Sequence, residues 1–296
     1  MLFRNLLPMR LPSDWALTPI DLEEKLITRP LRPCNAFEMW SRGWVQSSPE
    51  QRLVHAAGEQ HLIALGVEQK LLPASLIRQV AADRAAELAV EQGFAVARKQ
   101  LRDLQRQVAD ELRGRALCKR RQTAAWLDVA HGWLCIDSAG GSRADEVVET
   151  LRDTLGSFAA VPPQTERSPQ SCMARWLAQD QAPSHFTLDD ELELKGQDKS
   201  RAVLRWSRHP LDIAEIKAHM ADGLVPTRLG LTWRDRVSFV LTDKLQLKRI
   251  EFIGLDEPAG DAQQTDPKEQ FDAEFLLVSG ELSLLLADLM AALNEP

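Results

Sequence analysis

Between Pro73 and about Arg113, apolar residues recur three and four positions apart: Leu76, Ile77, Val80 and Leu88, then Leu101, Leu104, Val108 and Leu112. That spacing is the period of a helix. Gly93 and Gly114 punctuate it, which predicts a pair of helices broken near the first glycine and stopped near the second. The pair is rich in Ala and long side chains, which are good helix formers. Its apolar stripe is narrow, so the pair should project from the body instead of filling its centre.

The segments around this pair are shorter and mixed. Leu2 to Arg10 reads as a strand, and Thr18-Pro19-Ile20-Asp21 as a capped helix start running to about Thr28, before Pro30. A polar stretch with Trp40, Gly43 and Trp44 follows, then strands near Arg52–Ala56 and His61–Val67. After Arg121, Thr123–Val129 and Trp133–Asp137 read as a hairpin turning at Ala130-His131-Gly132. Ser142-Arg143-Ala144-Asp145 resembles a capping box opening a helix that Gly156 closes, and Val161-Pro162-Pro163 to Gln170 reads as a linker. Further on come a strand at Arg201–Trp206, a helix at Asp212–Ala221, and a meander of Leu229–Trp233, Arg236–Leu241 and Leu247–Ile253. The acidic segment Asp256–Lys268 reads as a mobile loop, Phe271–Val278 as a last strand and Ser279–Leu293 as a final helix. Hairpins interspersed with helices, without strict βαβ order, indicate an α+β fold with largely antiparallel sheets.

Charge is segregated along the chain. The formal net charge of −7 would by itself argue against a polyanionic partner. Yet from Glu251 to the end eleven acids face Lys268 alone, whereas Arg98 to Arg121 holds nine bases and three acids. Such a run is either a solvated helix face or a positive field offered to an anion. Within it, Arg115, Lys119, Arg120 and Arg121 read as a basic loop following the helical pair, able to set several cations on a phosphate backbone. Arg201, Arg205, Arg208 and His209 form a second cluster around Trp206, a residue that either stacks on bases or packs in the core. The chain contains no tyrosine and no aromatic RNA-binding motif, which disfavours a single-strand stacking platform.

Signals for catalysis and cofactors are weak. No phosphate-cradling loop or serine-hydrolase elbow occurs, and the six histidines do not pair at metal-binding spacing. Asp189, Asp190, Glu191 and Glu193 cluster in the manner of a solvated helix start. Cys34, Cys118, Cys135 and Cys172 show no CxxC or zinc spacing and are expected to be idle thiols in a reducing cytoplasm. Neither a signal sequence nor an apolar run of about 18 residues is evident, so a cytosolic protein is expected. On these grounds no enzyme, cofactor or metal is expected.

At several of these residues the chain resembles the RdgC family of bacterial recombination-associated proteins. The resemblance is carried by Met1-Leu2-Phe3-Arg4-Asn5-Leu6, Pro33-Cys34, Gly43-Trp44-Val45, Lys70-Leu71-Leu72-Pro73 and Arg115-Ala116. Gln122-Thr123, Trp126-Leu127-Asp128, Leu155-Gly156-Ser157, Phe271-Asp272-Ala273-Glu274-Phe275 and Gly280-Glu281-Leu282 continue it in order. It implies a sequence-independent double-stranded DNA-binding protein, nucleoid-associated in the cytoplasm, that restrains RecA-dependent strand exchange. It also implies a homodimer closed into a ring around the duplex, with no membrane partner. In its terms residues 1–73 and 122–165 are a central part, 74–121 a helical finger and tip, and 166–296 a base. Arg115 matches a fingertip arginine that meets DNA, and Leu117 stands where relatives carry a phenylalanine at the tip contact. Arg208 and His209 match a Lys-Gln pair. The alternative from another class is an interaction module that contacts the recombinase filament directly.

Overall fold

The computed structural model describes residues 3–196, 202–254 and 266–295. In chain order the elements are β1 (Asn5–Arg10), α1 (Pro19–Ile27), β2 (Trp40–Val45), β3 (Val54–Ala57), β4 (Gln60–Lys70), α2 (Ala74–Gln92) and α3 (Arg98–Arg115). Then come β5 (Cys118–Asp128), β6 (Trp133–Ile136), α4 (Gly141–Leu155), α5 (Pro169–Gln179), β7 (Phe186–Gly196) and β8 (Val203–Ser207). The chain finishes with α6 (Ile213–Ala221), β9 (Leu224–Trp233), β10 (Val237–Thr242), β11 (Leu247–Phe252) and α7 (Pro267–Asn294). Mixed α+β with antiparallel pairing is the observed class. The chain divides into two compact units, Met1–Lys25 with Gln46–Ile63 and Thr123–Pro296, and Leu26–Val45 with Ala64–Gln122.

In the first unit the strands run in the order β5-β6-β1-β11-β10-β9-β7-β8. Alternation sets the register: Leu7 lies opposite Ile136, Leu6 opposite Leu247, and Val237 opposite Trp233. The inward residues Leu192, Leu194, Leu229, Leu231, Trp233, Phe239 and Leu241 join Met173 and Trp176 of α5 and Phe275, Leu282, Leu286 and Leu289 of α7 in one core. Fully burying each such side chain contributes about 1.5–3 kcal/mol, an upper bound because the unfolded chain already hides some area.

The second unit pairs β2 with β4, Trp40 opposite Gln69 through Val45 opposite Ala64. Gly43 is required there, because a Cβ would collide with the backbone of Pro30 and Leu31, which runs against Trp44. The helical pair occurs as the periodicity predicts. Gly93 ends α2 in the left-handed region at φ 78° and accepts no side-chain substitute without strain. Ala81 and Val108 are the only buried residues of α2 and α3, which accords with the narrow stripe.

Several expectations need correction. The Trp40–Trp44 stretch is strand β2, whose partner β4 is distant in sequence and so left no local sign. The proposed linker ends in helix α5: Ser168 caps it and Pro169 occupies its first turn, so the Ser-Pro pair starts a helix instead of marking a loop. Asp189, Asp190, Glu191 and Glu193 lie on strand β7, not at a helix start, because Leu192 and Leu194 are held in the core between β8 and β9. Phe271–Val278 is the first part of α7, since Phe271, Phe275, Val278 and Leu282 fall on one helical face. Gly140, with no side-chain bond, takes the cap position of α4 that the capping box would have given Ser142. By length and composition α7 could cross a membrane, but 56% of its most apolar window is buried within the protein. The segment Asp256–Lys268 and Arg201 fall wholly or mainly outside the described residues.

Candidate nucleic-acid interface

The basic run is not a loop. Arg115 is the last residue of α3, and Lys119, Arg120 and Arg121 stand on β5, which begins five residues earlier than its apolar pattern shows. On a strand successive side chains alternate, so Lys119 and Arg121 share one side while Cys118 and Arg120 share the other. Arg115, Leu117, Lys119 and Arg120 are exposed and Arg121 is half-buried. All three acids of the run are engaged: Asp103 by Arg106 at 3.5 Å, Asp110 by Arg113 at 2.9 Å, and Glu111 by Arg84 of α2 through two hydrogen bonds of 2.7 and 3.1 Å. The bond to Arg84 is the chief reason the Glu111 carboxyl is held below the usual range. Arg98, Lys99, Arg102 and Lys119 are exposed and make no ion pair among the described residues. A run whose acids are all spoken for thus keeps a surplus of uncommitted cations.

Arg120 is positioned differently. Its Nε–H donates to Glu68 Oε2 of β4 at 2.5 Å, while the Cys34 backbone N–H donates to Oε1 at 2.8 Å. The Cys34 bond first, and then the guanidinium, hold the Glu68 carboxyl below its ordinary range. Leu117 joins the unit through its carbonyl, which accepts from the Leu71 N–H at 2.7 Å, and leaves its side chain 78% exposed.

In the first unit a second set of cations is built on the sheet. Glu193 of β7 lies directly opposite Arg205 of β8 and Arg228 of β9. The Nε–H of Arg205 donates to Glu193 Oε2 at 2.7 Å, the Thr227 hydroxyl donates to Oε1 at 2.8 Å, and Arg228 stands 3.8 Å away. One buried carboxylate therefore anchors two exposed guanidiniums in one row across three strands. Arg208, at φ 55°, and Arg249 line a cavity of about 420 Å³ with Asp189, Glu191 and Glu251, and Arg249 pairs there with Glu191. His209 is exposed with its Nδ1 3.0 Å from the Pro210 carbonyl oxygen, and Trp206 packs against the core. Arg228 was not foreseen, and Glu193 was expected at a solvated helix start instead of as the anchor of two arginines. The alternation Glu191-Leu192-Glu193-Leu194 was the available signal.

One further polar cluster was not foreseen. The buried Asp128 accepts from the Ser283 hydroxyl at 2.6 Å and lies 2.9 Å from His131 Nδ1, which is itself 3.1 Å from Ser283. Serine and aspartate meet the same ring nitrogen, so this arrangement is not a serine–histidine–aspartate relay, which needs the two on opposite nitrogens. It fastens α7 to the β5–β6 turn.

Fold and site define a mixed α+β chain carrying two arginine-rich clusters, each fixed by a carboxylate on a neighbouring strand. The chain belongs to the RdgC family: the family model described as "Putative exonuclease, RdgC" matches residues 1–296. It is 43% identical to the recombination-associated protein RdgC of Dechloromonas aromatica over 99% of this chain and 98% of that one. The proteins of the same name from Cupriavidus pinatubonensis and a Janthinobacterium species are 41% and 38% identical, with the same coverage. This places the chain among recombination-associated proteins.

Proposed function

We propose that the protein binds double-stranded DNA without sequence preference and, by occupying it, restrains RecA-dependent recombination in the nucleoid of the cytoplasm. The observation that supports this reading is the surplus of basic over acidic residues on α3 and the start of β5, with Arg98, Lys99, Arg102 and Lys119 exposed and outside any ion pair among the described residues. Such cations contact phosphates and read no bases, which gives sequence-independent affinity through counterion release. Arg115, Lys119, Arg120 and Arg121 form the contact in the second unit, which supplies the finger and tip. Arg205, Arg208 and His209 form it in the first, within the base of residues 166–296. The protein acts as a homodimer closed into a ring around the duplex, with the exposed Leu117 at the tip contact.

Binding of the purified chain to a bare duplex, with no second protein present, tests the reading. Binding that is equally strong for unrelated sequences supports it. No binding to bare DNA, together with capture by a RecA filament, would favour direct protein contact instead. The family description raises a nuclease as the other class, and loss of end-labelled duplex with magnesium or manganese would establish that activity.

A further inference from the structure

Cys34, Glu68 and Cys118 come from the loop before β2, from β4 and from the start of β5, yet one ligand atom of each lies within 4.8 Å of the others. We propose that these three side chains form a binding site for one thiophilic divalent cation of the zinc class. Thiolate sulfur and carboxylate oxygen are both zinc donors, bound at about 2.3 Å and 2.0–2.2 Å, and three protein ligands with an open fourth position is an arrangement zinc takes. Cys118 is exposed, so solvent completes a tetrahedron at the fourth position.

The surroundings suit a cation. Glu68 is already oriented by the Cys34 N–H on Oε1 and by Arg120 on Oε2, and each oxygen keeps a lone pair for a metal. The Cys34 thiol is held in the cluster, 3.3 Å from the Glu68 carbonyl oxygen and 3.6 Å from the Ser41 hydroxyl. The Cys118 thiol is exposed at the mouth of the cluster, open to a cation arriving from solvent. A bound zinc holds both sulfurs as thiolates. Two thiolates and a carboxylate, set against Arg120 and a divalent ion, leave the site neutral. The ligands are spread one per segment, which is why no CxxC spacing announced them.

The test uses the full, reduced chain. Zinc is titrated against a chromophoric chelator, and cobalt(II) is substituted to read thiolate-to-metal absorption in the near ultraviolet. We expect one equivalent per chain and a thiolate band. Cys34→Ser and Cys118→Ser should each abolish stoichiometric binding, while Glu68→Gln weakens it at least tenfold and keeps the band. A wild-type chain without the band overturns the proposal, whatever the folding of the variants. So does a band that persists in the double serine variant, since Cys135 and Cys172 would then supply it.

Discussion

Arg205 on β8 donates its Nε–H to Glu193 on β7 at 2.7 Å, and the two residues stand directly opposite in the strand register. Burial by itself would raise the Glu193 carboxyl, but the bonds from Arg205 and Thr227 and the charge of Arg228 bring it below the usual range. A carboxylate whose folded value is depressed contributes stability above its unfolded pKa, and that contribution fades as pH falls through the folded value. Glu193→Gln should therefore cost about 1–2 kcal/mol at neutral pH, the cost of weakening the charge-assisted bond from Arg205 and poorly matching the buried Thr227 hydroxyl. It should also flatten the loss of stability below about pH 4. Urea unfolding at neutral and acidic pH measures both effects.

His55 on β3 carries the opposite kind of group in the same direction. Burial lowers its pKa, more than Asp272, at 3.5 Å, and Glu50 raise it. A buried neutral histidine resists protonation in the folded chain only, so stability is full above about pH 6.5 and declines as pH falls below it. His61 is lowered by burial too and adds to the decline. The ring lies 4.9 and 5.1 Å from those of Phe271 and Phe275, so His55→Phe keeps the aromatic packing and removes the titration. The expected result is a shallower slope of unfolding free energy between pH 6.5 and 5, by at most about 1.4 kcal/mol per pH unit.

Helix α7 makes a prediction that a strand over Phe271–Val278 would not make. Phe275 is fully buried, whereas its neighbours Leu276 and Leu277 are 50% and 46% exposed. Phe275→Ala should cost about 3–5 kcal/mol, and Leu276→Ala within about 1 kcal/mol. Equal costs at Phe275 and Leu277, the pattern of a strand facing the core, would contradict the helix. Denaturant midpoints at constant m value decide it.

How much of this was legible follows from where the information lies. The α2–α3 pair, its break at Gly93 and the β9–β10–β11 meander rest on periodicity and turn residues, which are local. Strands β2 and β7 and the start of β5 rest on partners far away in the chain, so Trp40, Glu193 and Arg120 read as polar surface. Helix α7 was misread in part because Phe271 and Phe275 have strand propensity, which tertiary packing overrides. At the site, the concentration of bases was visible, but not that Arg120 is tied to Glu68 or that Arg228 joins Arg205. The −7 total was the least informative number, because the acids are gathered at one end of the sequence and the bases at Arg98–Arg121.

The dependence of duplex affinity on salt tests the central claim most directly. Each phosphate contact contributes a slope of about 0.9 log units of affinity per log unit of salt. Replacing Arg115, Arg120 and Arg121 by Ala should weaken binding to all duplexes alike and lower the slope by about two to three units. An unchanged affinity and slope in that variant would show that this segment is not where the protein meets DNA.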